Sequence, residues 1–312
     1  MKSNLHTCFP LVVVAALALL APPVRAGSPE INRPHGHEFD DHGTVAHRTA
    51  HDGGPRGLTF RAPVNRNIIA YHNGPVMLGT VNVYVIWYGN WAGNTATNIV
   101  PDFLNSIGGS PYHNINTTYF NRSGAHVANS VAFLGSTTDN YSQGAALSDA
   151  QVQLVVASAI NGGQLPKDTA GVYFVLTSAD VTASSGFCTQ YCGWHTFGTI
   201  GGSNIKYSFV GNPDRCPTAC TAQSTVSPNG NIGADGMISI IAHELEETIT
   251  DPNLNAWFDG FGAENADKCA WTFGTTYTTT NGSTANMALG GRNYLIQRNW
   301  LNANGGTCTL SY

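Results

Sequence analysis

Charge is what this chain of 312 residues has least of: Asp, Glu, Lys and Arg together make up 11% of it. Basic residues number 14 against 19 acidic ones, a net charge of −5. A nucleic-acid binder needs a basic field, and its lack argues against that class. Beyond the N-terminus no segment is apolar enough to span a bilayer. What the chain does have is 42% hydrophobic residues, enough for a sizeable core, and abundant Gly, Asn, Ser and Thr. That balance suits an extracellular protein of strands and loops with polar, uncharged surfaces.

The N-terminus agrees with that compartment. Lys2 precedes the apolar run "LVVVAALALLA", and "VRA" at 24–26 fits a small-residue cleavage site. The run is short for a membrane span and reads as a secretory signal peptide over 1–26. Cleavage after Ala26 would remove two basic residues and no acid. Residues 27–66 lack apolar periodicity and carry His35, His37, His42, His47 and His51. Such a segment buries too little surface to offset its ordering entropy, so it is read as a disordered linker or pro-segment. The third region, 67–312, is read as the folded domain.

Cys8 would leave with the signal. Cys188, Cys192, Cys216, Cys220, Cys269 and Cys308 remain. An even count in an exported chain favours three disulfides over zinc at the two C-x3-C pairs. The expected pairing joins Cys269 to Cys308, which bracket the C-terminal part, and leaves the first four to pair among themselves.

Strands are expected in "VNVYVIWYGNW", "SVAFLG", "GVYFVLTS" and "IKYSFVG", which are rich in β-branched and aromatic residues. Residues 95–107 have helical spacing blurred by Pro101, and 147–160 form a helix capped by Ser148 or Asp149. The fold class is therefore α/β (α+β), a mixed sheet with helices, stapled by disulfides.

One further helix, from about Gly236 to Thr250, is expected to be capped by Asp235 and stopped by Pro252. Met237, Ile238, Ile241, Leu245 and Ile249 share its core arc. His243, Glu244, Glu247 and Asp251 share the next arc, and Glu246 points elsewhere. "HELEE" departs from the zinc-peptidase pattern HExxH by a glutamate in the place of the second histidine. His243 and Glu247, at i and i+4, can still grip one ion from one side of a helix. Glu244 lies beside them, where a carboxylate can take a proton from an attacking water.

Downstream, "WFDGFGAENADKCAW" reads as a turn entering a short helix. Its Glu264 is the candidate third ligand. Its Asp267 is the candidate partner that fixes the tautomer of His243. This set resembles the gluzincin arrangement, in a zincin-like mixed sheet with the active-site-type helix at about 236–250. Zinc is the expected ion. The extra carboxylate leaves calcium in play. No histidine follows His243, so a transition-state donor would have to come from Tyr294, Tyr277, Arg292 or the upstream His195; each is read first as structural, as is His72 in "YHNGPV".

Several segments together resemble the EXORDIUM-like, phosphate-induced protein 1 family: "YHNGPVMLGTVNVYVIWYGNW", "FCTQYCGWH", "DRCPTAC", "PNGNIGADGMI" and "GGRNYLIQRNWLNANGGTC". The resemblance covers about 68–312. It implies secretion and, in plants, a link to growth and to phosphate or brassinosteroid responses. It implies no defined enzyme activity. At "AHELEET" the chain departs from the plant pattern, which is apolar and small-residue-rich there, and looks like a microbial branch.

Two functions are carried forward. One is a secreted metal-dependent hydrolase, a gluzincin-like peptidase acting on extracellular peptide or cell-wall material. The other is a non-enzymatic extracellular binding or signalling protein with a structural or vestigial metal site. Neither involves nucleic acid, or a membrane once the signal is cleaved.

Overall fold

The structure is a computed structural model and describes residues 68–312. The signal-peptide and His-rich segments, and Cys8 with them, lie outside the described residues.

Five strands form the central sheet: β1 (Val81–Tyr88), β2 (Val131–Asp139), β3 (Gly171–Thr177), β4 (Gly193–Ile200) and β5 (Ser203–Val210). Their spatial order is β2-β1-β3-β5-β4. The first four in that order run parallel, and β4 joins β5 antiparallel at one edge. The mixed class expected from the sequence is the class observed. β1 and β3 are apolar along nearly their whole length because both faces of a central parallel strand are covered. The β4–β5 hairpin turns on Gly201 and Gly202, both at positive φ. Two such residues fit the tight turn whose twist matches a hairpin.

Helix α1 (Ala96–Ile107) buries Ile99, Val100, Phe103, Leu104 and Ile107 and keeps Pro101 within it. The apolar stripe outweighs the one backbone bond that a proline cannot make. Helix α2 (Asp149–Asn161) opens with a capping box: the Ser148 side chain accepts from Gln151 N while Gln151 Oε1 accepts from Ser148 N. Of the two caps considered, the serine serves.

Helix α3 (Ile232–Thr250) carries the HELEE stretch and begins four residues before its expected start. Asn231 caps it, accepting from Ala234 N at 2.9 Å. Asp235, the expected cap, lies inside the first turn and accepts from Asn229 N and Nδ2. The short polar side chain at Asn231 satisfies an orphan amide equally well, which a local sequence reading does not separate from Asp235.

From Gly233 to Thr250 every residue of α3 is buried, polar arc included. The helix packs against β4, β5, α1 and the turn His113–Thr118. Its approach to β4 is close: a Cβ on Gly193 would fall 2.6 Å from Ile240 Cγ2.

Three disulfides staple the chain: Cys188–Cys216, Cys192–Cys220 and Cys269–Cys308. The first two tie the segment entering β4 to the turn Pro217–Cys220 just before α3. The third holds the 264–269 region against the C-terminal ribbon Asn299–Leu301/Thr307–Thr309. Such bridges belong to oxidising compartments. Among the described residues no helix is long and apolar enough to cross a membrane.

Candidate functional site

Three separate parts of the chain meet beside α3. The helix supplies His243, Glu244 and Glu247; i and i+4 spacing puts His243 Nε2 3.1 Å from Glu247 Oε1. The edge strand β4 supplies His195, whose Nε2 lies 3.7 Å from Glu247 Oε2. The loop after α3 supplies Glu264 and Asp267.

That loop is shaped by Asp259. Its Oδ1 accepts from Phe261 N and Ala263 N, and its Oδ2 meets Lys268 Nζ at 2.9 Å. Glu264 N then donates to Asp267 Oδ2 at 3.1 Å, and Asp267 N donates to Glu247 Oε1 at 2.9 Å. Behind the loop, Asn265 Nδ2 donates to Asn116 Oδ1 and to the Glu246 carbonyl. The expected short helix is a single 3-10 turn, Asp267–Cys269.

Glu264 is buried, 3% exposed, and its Oε2 lies 3.0 Å from His195 Nε2. The expected ligand set was His243, Glu247 and Glu264. The structure brings Glu264 into the cluster through His195, while His243 Nε2 meets Asp267 Oδ1 at 3.4 Å besides Glu247. Asp267 faces Nε2 of His243, whereas a group that fixes the tautomer from behind would face Nδ1.

His195 was read from the sequence as a structural residue and is central here. The signal that could have found it is the glycine pair in "WHTFGTIGGSNIKYSFV": read as a hairpin, it turns the stretch before Gly201 into a strand antiparallel to the one after it. The other candidate donors have contacts of their own. Arg292 Nη2 pairs with Asp102 at 2.6 Å, and Tyr277 donates to Asn293. Tyr294 packs edge-on against Phe103. His72 stacks on Phe258 with ring centroids 3.7 Å apart.

Burial sets the electrostatics. It pulls the His195 imidazole down to about 3, against the pull of Asp267. Burial also lowers His243, but Glu247, Asp267 and Glu244 outweigh it and hold that imidazole well above its usual range. Glu264 is pushed well up by burial and then by Glu247, Asp251, Asp267 and Glu244. Glu247 is raised by burial and by Asp267, with His243 opposing.

Four carboxylates and two imidazoles thus share a closed space, with side-chain exposures of 2–6% at His195, His243, Glu247, Glu264 and Asp267. The geometry suits an ion. Donors about 2.0–2.1 Å from a tetrahedral centre stand ~3.3 Å apart, and the imidazole–carboxylate pairs here span 3.0–3.7 Å. His243 Nε2 and Glu264 Oε1 are buried and make no hydrogen bond among the described residues. Buried ligand-type atoms without a hydrogen-bond partner are compatible with coordination of a cation.

Compared with known proteins, residues 69–309 match the model of the phosphate-induced protein 1 conserved region. The chain is 34% identical over 293 residues to Protein EXORDIUM-like 5 of Arabidopsis thaliana, covering 79% of this chain and 80% of that one. It is 34% identical over 280 residues to Protein EXORDIUM-like 3 of the same plant, covering 77% and 82%. With Protein PHOSPHATE-INDUCED 1 of Nicotiana tabacum it shares 30% over 228 residues, covering 62% and 68%. No solved structure matches significantly. A match running through nearly all of the described residues, with relatives 34% identical, makes the chain a member of the phosphate-induced protein 1 (EXORDIUM-like) family.

Proposed function

We propose that the chain is a secreted, metal-dependent hydrolase whose substrate is an extracellular peptide or cell-wall material. One observation carries this reading: His195 Nε2 lies 3.0 Å from Glu264 and 3.7 Å from Glu247, and His243 Nε2 lies 3.1 Å from Glu247 and 3.4 Å from Asp267, at the spacing of metal ligands. Neutral imidazole and carboxylate are ordinary donors for zinc, and carboxylates equally suit calcium.

A divalent ion held there would polarise a substrate carbonyl. The protein's own part falls to its side chains. Glu244, 1% exposed on the same helix, lies with His195 and Glu247 in a group whose potential donor atoms are all within 4.8 Å of one another. Its carboxylate takes the proton of the attacking water and returns it to the leaving amine. Asp267 N orients Glu247 by its hydrogen bond, and Asp259 holds the loop that carries Glu264. The closed surroundings exclude bulk water and strengthen each electrostatic contact.

The same closure favours a second reading, an extracellular binding protein with a structural ion, because a buried cluster needs no access for substrate. Metal analysis of the purified chain followed by cleavage of a broad peptide library separates the two. Bound metal with metal-dependent cleavage supports the hydrolase. Bound metal without cleavage supports the structural role. A chain that takes up no metal sinks both.

A further inference from the structure

The cluster divides into two halves of the same composition. In one, His243 Nε2 lies 3.1 Å from Glu247 Oε1 and 3.4 Å from Asp267 Oδ1. In the other, His195 Nε2 lies 3.7 Å from Glu247 Oε2 and 3.0 Å from Glu264 Oε2. Each half has one imidazole, one carboxylate of its own and one of the two oxygens of Glu247. We infer that the site holds two divalent cations bridged by the Glu247 carboxylate, one on His243 and Asp267, the other on His195 and Glu264.

Charge favours two ions over one. Glu244, Glu247, Glu264 and Asp267 bring four potential negative charges. The nearest basic residue in sequence, Lys268, is bonded to Asp259. Buried charges persist only when they are compensated. Two divalent ions would balance the four carboxylates in their ionised form.

Coordination favours two ions as well. Three protein donors per ion leave an open position at each, the pattern of catalytic rather than structural sites. A carboxylate that offers one oxygen to each side is the natural spacer for ions about 3.5–4 Å apart. Glu244, whose donor atom also lies within 4.8 Å of those of His195 and Glu247, stands beside the second ion as the base. The donors are nitrogen and oxygen throughout, which suits zinc or manganese and gives no preference to the thiophilic metals. His243 Nε2 fits the same picture, since it lacks a hydrogen-bond partner among the described residues.

The two-ion assignment rests on the metal-binding reading proposed above and fails separately from it. The purified chain is stripped with a chelator, dialysed and titrated with zinc, and its ion content is compared with that of Glu247→Ala. The difference counts the cluster ions apart from any held by the five upstream histidines. A difference of two supports the pair. A difference of one overturns the pair and leaves a single-ion site standing. No difference overturns both.

Asp267→Ala and His195→Ala should each lower the wild-type count by one. Should these variants fail to fold, the wild type loaded with manganese carries the test. Two ions sharing one carboxylate give an exchange-coupled spin-resonance spectrum. Isolated six-line signals alone would overturn the bridge.

Discussion

His195 Nε2 lies 3.0 Å from Glu264 Oε2, although 69 residues of chain separate them. The contact closes the space beside α3 from the side the helix cannot reach. It makes the edge strand β4 a part of the site and not merely part of the scaffold.

Glu244→Gln preserves size and hydrogen bonding and removes the base. If the chain is a hydrolase, bound metal persists while turnover falls about 10²–10⁴-fold. His243→Ala instead loses metal, and with it part of the folding free energy. Metal content and peptide cleavage measured on the same preparations check both arms. Equal turnover in Glu244→Gln and wild type would remove Glu244 from the chemistry.

Cys192 lies three residues before His195 and is bridged to Cys220, a separation of 28 residues. With Cys188–Cys216 still closed, the loop that this bridge adds is only about 10 residues, for which loop entropy gives a stabilisation of ~2.7 kcal/mol. The double variant Cys192→Ser/Cys220→Ser should lose about that much in denaturant unfolding. Thiol titration of the denatured, unreduced wild type should find no free thiol among the six cysteines of 188–308.

On the far side of α3, His113 Nδ1 lies 2.8 Å from Glu246 Oε1, with both side chains fully buried. Burial raises the Glu246 carboxyl, and His113 opposes that. His113→Ala leaves the carboxyl without its partner and should cost about 3–5 kcal/mol. His113→Leu with Glu246→Met removes both polar groups and should restore most of the loss. Additive losses in that double variant would show that the pair is not coupled.

Asp251, at the end of α3, accepts from the Asn255 and Ala256 amides, yet burial raises its carboxyl from 3.8 to about 6. A raised acid holds its proton longer in the folded state. Its contribution is therefore greatest below pH 3.8, falls as the pH rises towards 6, and is flat above that. The full change is ~3 kcal/mol at most. The stability of Asp251→Asn minus that of wild type, followed from pH 4 to pH 7 in chelator, should grow with pH. A flat difference would refute the shift.

Ser148→Ala removes the cap of α2 and half of its capping box. The expected loss is about 1 kcal/mol, seen as a lower denaturant midpoint at unchanged slope. A midpoint equal to that of wild type would mean that tertiary packing alone fixes the start of the helix.

The sheet could be read from the sequence because a strand buried on both faces is spelled locally, as in the run Val81–Tyr88. The 149–161 helix could be read because its cap and apolar stripe lie within one window. The i, i+4 pair of His243 and Glu247 could be read for the same reason. What could not be read was long-range: Asp267 reaching Nε2 of His243, and Glu264 meeting His195. Those contacts depend on how the 259–267 loop folds back, under the control of Asp259 and of Asn265 hydrogen-bonded to Asn116. The burial of the polar arc of α3 was equally hidden, because periodicity reports which residues share a face and not what covers it.

Encasement of α3 on all sides has a kinetic consequence. A helix with no face towards solvent has no local route to open, so its backbone amides exchange hydrogen only as often as the whole unit unfolds. The amides from Ile238 to Ile249 should form the slowest-exchanging set in the molecule.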